Sequence, residues 1–154
     1  MKESLTNLWT ILAQSSSIDR DNNTLSLFDI LEEITFQIVG PTPEKTVLPL
    51  NLQLVSLWER ENSGKPESLR IKFVLRDPAN NVLTENEGEL RMEPHHKRSR
   101  FRAQFQGMPV TGPGRYRYEI LSLEPKKTKG EELISTVSFE IKIVNQPVKS
   151  PLKL

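Results

Sequence analysis

The chain has 154 residues, a length that fits one domain able to bury roughly two thirds of the surface its unfolded form exposes. It contains no cysteine, which excludes disulfides, thiolate nucleophiles and cysteine-ligated zinc or iron–sulfur sites. Lys and Arg number 21 against 20 Asp and Glu, so no global charge favours nucleic acid or an anionic membrane, and any electrostatic argument must be local.

Near the start, Thr6, Asn7, Thr10, Gln14 and the serines 15–17 interrupt the apolar residues, so no signal-peptide core forms. Nowhere do about 18 apolar residues run together, and the expectation is a cytoplasmic protein with no membrane partner. Leu8, Trp9, Ile11, Leu12 and Ala13 fit a helical stripe as readily as a strand, and their spacing leaves residues 8–18 open between the two. The turn formers Asp19 to Asn23 follow, and then a second apolar run with Leu25, Leu27, Phe28 and Ile30, which together read as a hairpin. Asp19, Asp21 and Asn23 superficially match the first ligands of a calcium loop, but Thr24 and Ile30 stand where its glycine and closing glutamate belong.

Ile34, Phe36 and Ile38 alternate with Thr35, Gln37 and Val39 up to the break at Gly40 to Pro43. Leu48, Leu50, Leu52, Leu54, Ser56 and Trp58 share one parity and predict a central strand; Val55 and Leu57 make its end apolar on both faces. Leu69, Ile71, Phe73 and Leu75 alternate with Arg70, Lys72 and Arg76, and Asp77 to Asn81 is a tight turn in which asparagine tolerates a positive φ. Residues 82–92 form the partner strand, with Glu85, Glu87 and Glu89 facing solvent. Phe101, Ala103 and Phe105 then alternate with Arg98, Arg100 and Arg102, and residues 106–113 read as a linker.

Gly112-Pro113-Gly114 breaks the chain before Tyr116, Tyr118 and Ile120, which alternate with Arg115, Arg117 and Glu119. Residues 126–130 read as an exposed turn, and Val137, Phe139, Ile141 and Ile143 mark the last strand. The domain is expected over 1–144, with 145–154, which holds Pro147 and Pro151, as a flexible tail. About seven to nine short strands joined by glycine and proline turns predict an all-β fold with little helix, a two-layer antiparallel β-sandwich rather than a closed barrel. Its core should draw on Trp58, Phe73, Phe101, Phe105, Tyr116, Tyr118 and Phe139.

The turn Asp77 to Asn81 between two strands, the later run Gly114-Arg115-Tyr116-Arg117-Tyr118-Glu119-Ile120 and the early Leu25 to Ile30 together resemble small bacterial single-domain β-sandwich proteins of the immunoglobulin-like or C2-like kind. The resemblance implies a sandwich in which a glycine opens a strand whose tyrosine packs at a corner. It carries over no calcium site, because the carboxylate loops of a calcium-binding C2 domain have no counterpart at these turns, and fold likeness sets no function.

Enzymatic constellations come up short. The only histidines, His95 and His96, are adjacent in a loop; no glycine-flanked serine elbow or phosphate-cradling loop is present. A zinc ion would need ligands beyond that pair and Glu93. No catalytic residue, cofactor site or metal site is therefore assigned. The one local anomaly is the arginines: were residues 98–105 and 115–122 to pair as a hairpin, Arg98, Arg100, Arg102, Arg115 and Arg117 would share a solvent face. Neutralisation of that row by Glu119 or by Glu85, Glu87 and Glu89 is the weightier reading, since Phe101, Tyr116 and Tyr118 lie on the other parity. The sequence thus points to a non-enzymatic module that binds another protein or itself, with a polyanion or nucleic-acid binder through the arginines as the alternative.

Overall fold

The computed structural model describes residues 5–124 and 130–146. Its strands are β1 (Thr6–Ile18), β2 (Leu25–Ile30), β3 (Glu33–Val39), β4 (Thr46–Glu59), β5 (Glu67–Arg76), β6 (Val82–Met92), β7 (Arg98–Val110), β8 (Gly114–Ser122) and β9 (Glu132–Gln146). They form two sheets, one of order β2-β1-β4-β7 and one of order β3-β9-β8-β5-β6. This is the expected all-β sandwich.

Residues 8–18 are strand. Their spacing looked ambiguous for two physical reasons. A bulge between Asn7 and Trp9 shifts the register against β4, and the adjacent Leu12 and Ala13, on opposite faces, are both buried. The Asn7 side-chain amide closes the bulge by donating to the carbonyls of Trp9 and Leu57 at 3.3 and 3.4 Å. Beyond it, β1 and β2 pair antiparallel around a turn in which Asn23 takes φ 57° and its N–H donates to the Asp19 carbonyl at 2.7 Å. The Asp19 carboxylate serves that turn, accepting the Asp21 N–H at 2.9 Å.

Inward-facing residues of both sheets meet in one core. Trp58, Phe73, Tyr116, Tyr118 and Phe139 are buried as predicted, and Phe101 and Phe105 are half-buried against them. The aromatics interlock across the layers: Phe105 stacks on Tyr118 at 5.2 Å between centroids, and Phe73 on Phe101 at 5.4 Å. Gly88 of β6 makes the second contact feasible, since a Cβ there would sit 2.7 Å from Phe101 Cζ.

Four features depart from the sequence expectation. The pairing of β3 with β9 is parallel, Ile34 opposite Ile141 and Phe36 opposite Ile143. The chain leaves the first sheet at Ile30 and enters the second at Glu33, and β4 to β8 together supply the long connection that a parallel pair requires. Residues 106–110, expected as a linker, extend β7 against β4, with Met108 and Val110 buried. Asn145 and Gln146, expected in the tail, pair with Ile38 and Val39; residues 147–154 lie outside the described residues, as do 126–129 of the expected turn. Most consequentially, β7 and β8 do not pair, because they belong to different sheets.

That crossing takes only Thr111, Gly112 and Pro113. Gly112 and Gly114 adopt φ 141° and 138°, and a Cβ on Gly114 would meet the Pro78 ring at 2.7 Å, so this arch demands glycine on two counts. Tyr116 fastens it. The Tyr116 hydroxyl donates to the Gly112 carbonyl at 2.6 Å and accepts the Thr111 N–H at 2.9 Å. The Thr111 hydroxyl in turn donates to the buried Asp77 carboxylate at 3.0 Å, tying the arch to the β5–β6 turn, where Asn80 takes φ 70°.

Candidate functional site

The separation of β7 from β8 divides the arginines. Arg115 and Arg117 lie on the outward face of the second sheet, where Arg115 stands opposite Glu140 and Arg117 reaches Glu119 at 3.7 Å and the side-chain oxygen of Asn80. Glu119 also pairs with Arg76. Glu85, Glu87 and Glu89 engage Lys72, Arg70 and Arg91 on the same sheet rather than any arginine of β7. Arg98, Arg100 and Arg102 remain together on β7, opposite Glu59, Leu57 and Val55 of β4, on the outward face of the first sheet. The five residues therefore do not make one surface, because alternation tells which side of its own strand a residue faces and not which sheet the strand joins.

The face that holds the three β7 arginines is unusual in being partly roofed. Val55 is fully buried although it points away from the sandwich core, which accounts for the apolar residues of both parities at the end of β4. The cover is the distal half of the β1–β2 hairpin, which leans over β4 toward β7. Ser16 donates to the Gln53 side chain and accepts from Arg102 Nη1 at 3.2 Å. Arg100 reaches the hairpin turn itself, Nη2 donating to the Asn23 carbonyl at 2.7 Å and Nη1 to Asn23 Oδ1 at 3.3 Å.

Between hairpin and sheet lies a groove of about 700 Å³, within the range of ligand sites. Trp9, Ile18, Leu25, Leu27 and Leu57 supply its apolar surface. Its rim is polar: Asn23 and Thr24 from the turn, Arg98, Ser99 and Arg100 from β7, and His96 from the preceding loop. Among the described residues no carboxylate lines it. Outside the groove Glu59 accepts from Arg98 Nε at 3.0 Å, whereas Arg100 and Arg102 have only neutral oxygens as partners among the described residues.

The loop that brings His96 to the rim is held by Arg60, whose place in a polar turn gives no sign of the role. Arg60, only 2 % exposed, donates Nε to the His96 carbonyl at 2.9 Å and Nη2 to the carbonyls of Glu93 and Pro94 at 2.8 and 3.3 Å. Nη1 takes the Lys65 carbonyl, and the Arg60 N–H bonds the Lys97 carbonyl at 2.9 Å. A buried guanidinium is thus satisfied by main-chain oxygens of two loops. Nothing in the string Glu59-Arg60-Glu61 distinguishes such a residue from a solvated charge. The groove itself was equally hidden, since Trp9, Leu25, Leu27 and Leu57 come from three strands and each reads as ordinary core. Two facts could have pointed to it: the doubly apolar end of β4, and the surplus apolar residues of the first hairpin.

His95 is exposed, and His96 N–H donates to the Glu93 carbonyl at 3.0 Å within its loop. Among the described residues, no three His, Asp or Glu side chains come together as metal ligands would. Nor, among the described residues, is any helix long and apolar enough to cross a membrane. No protein-family model, curated protein or solved structure matches the chain.

Proposed function

We propose that the chain is a non-enzymatic β-sandwich module that binds another protein, with the groove between the β1–β2 hairpin and the outward face of β4 as its site. One observation carries this reading: a groove of about 700 Å³ with apolar walls opens beside Arg100, whose partners among the described residues are neutral oxygens. A groove of this kind offers desolvation at its floor and charge-assisted hydrogen bonds at its rim, the two ingredients of a specific interface. Peptide selection from a library without charge bias provides the test. Selected peptides should bind the wild type and lose at least about tenfold in affinity on Trp9→Ala and on Leu27→Ala, each checked for folding by thermal denaturation. Peptides that bind both variants as well as the wild type would place the site elsewhere.

A second reading, binding of a nucleic acid or other polyanion, is favoured by Arg100 and Arg102, which meet only neutral oxygens among the described residues. It loses Arg115 and Arg117, which face the other way. Titration with single- and double-stranded oligonucleotides at low and high salt discriminates: affinity indifferent to salt, or retained by the combined Arg98, Arg100 and Arg102 change to alanine, removes it.

A further inference from the structure

Resting on the groove as the binding site, we infer that its occupant is an acidic segment of another polypeptide, in which large apolar side chains stand next to glutamate or aspartate. The inference starts from Arg100. Both of its terminal nitrogens are engaged, but by an amide oxygen and a main-chain carbonyl, at 3.3 and 2.7 Å. A carboxylate binds guanidinium more strongly than either neutral oxygen and matches its planar fork with two parallel bonds. The Asn23 clasp is therefore exchangeable for a ligand carboxylate. Arg102, two residues along β7, likewise bonds a neutral group, the Ser16 hydroxyl, and Arg98 has its Nε on Glu59. Arg98 and Arg100 thus stand on one wall with Arg102 beyond it, and no acid is among the described lining residues to oppose an incoming anion.

The other wall and the floor decide between classes of anion. Trp9, Leu27 and Leu57 present apolar surface continuous with the arginines. A polyphosphate backbone would leave that surface without a partner, whereas a leucine or phenylalanine beside an acidic residue fills it while the carboxylate reaches Arg100. A nucleic acid would also be expected to follow the arginines along β7, but only Arg98 and Arg100 line the groove, and Arg102 is drawn aside to Ser16.

The experiment uses the full chain and short synthetic peptides in which a leucine–phenylalanine pair is flanked by glutamates, with matched glutamine and lysine versions, followed by calorimetry. The glutamate peptide should bind at least about tenfold tighter than the glutamine peptide, and more weakly as salt rises. Arg100→Gln should remove most of that preference, while Arg115→Gln, on the opposite sheet, should leave it intact. Asn23→Gly, which keeps the positive φ available and deletes the competing Oδ1, should bind the glutamate peptide as tightly as the wild type or more tightly. Equal affinity for glutamate and glutamine peptides overturns the inference without needing any variant to fold, and leaves the groove as a site if those peptides still depend on Trp9 and Leu27. An oligonucleotide that displaces the glutamate peptide and binds more tightly overturns it in favour of the polyanion reading.

Discussion

Asp77 shows how one side chain couples a turn, an arch and the response to acid. Burial works to raise its carboxyl, but the Asn81 N–H and side-chain amide, the Thr111 hydroxyl and the Ala79 backbone donate to it, and together they hold it below the ordinary 3.8. A group whose folded value is depressed adds stability above its unfolded value, and that contribution disappears as pH falls through the folded value. Urea midpoints recorded from neutrality down to about pH 2 should decline on the acid limb, and Asp77→Asn should flatten the part of the decline that this group causes. The variant should also be about 1–3 kcal/mol less stable at neutral pH, because an amide nitrogen would face donors it cannot accept. An unchanged acid limb in Asp77→Asn would show that the carboxylate does not carry this coupling. Gly114 behaves differently, through shape alone. Gly114→Ala meets both a φ of 138° and the Pro78 ring, and should cost about 2–3 kcal/mol in chemical denaturation. A loss below about half a kilocalorie would mean that the arch relaxes freely.

At the level of elements, what the sequence disclosed and what it concealed divide along a physical line. Tyr116, Tyr118 and Ile120 announce their burial because a strand with one covered face must alternate, and all three are buried. β6 was legible from its glutamates, which recur every second residue at 85, 87 and 89, and the turn at Asn80 from its proline and asparagines. Residues 106–110 were not, because Gly107, at φ 78°, sits at a bulge where β7 and β4 slip register, and the bulge breaks the alternation that would have betrayed the strand. The fate of the arginine row was illegible on other grounds. A three-residue link with glycine in it and glycine after it looks like a hairpin, and only the placement of β7 and β8 in different sheets shows that it is an arch between layers, fastened by the Tyr116 hydroxyl. Arg60 was invisible because its partners are carbonyls, which every residue possesses. Its role is open to a direct check. Arg60→Met keeps the bulk but removes the guanidinium's bonds to the carbonyls of His96, Lys65, Glu93 and Pro94, of which Glu93 and Pro94 keep the N–H groups of His96 and Gly64, and the change should cost about 2–4 kcal/mol. Hydrogen exchange in that variant should quicken across residues 60–66 and 93–97 before the strands are affected. Uniform quickening over the whole chain would contradict a clamp confined to these loops.

For the molecule as a whole, the order of strands sets the pace of folding. β9 lies between β3 and β8, so β3 has no place in its sheet until the far end of the chain has arrived; Ile34 waits for Ile141. The β4–β7 pair is likewise non-local, bringing Thr46 to Val110. Chains dominated by such pairings fold over roughly milliseconds to seconds. Stopped-flow circular dichroism after dilution from urea should find the main refolding phase in that range; completion within microseconds would be incompatible with this topology. Exchange protection should appear later in β3 than in the β5–β6 hairpin, whose partners are joined by a short turn.

The two tryptophans occupy opposite sides of one sheet. Trp58 points inward, wholly buried, with its indole N–H donating to Ser56 Oγ at 2.7 Å. Trp9, on the neighbouring strand opposite Leu57, is half-buried in the groove outside the core. The protein therefore carries two built-in optical reporters with separate duties. A neutral quencher such as acrylamide should extinguish Trp9 emission while leaving Trp58 bright, and anything seated in the groove should shield Trp9 without disturbing the signal from the interior.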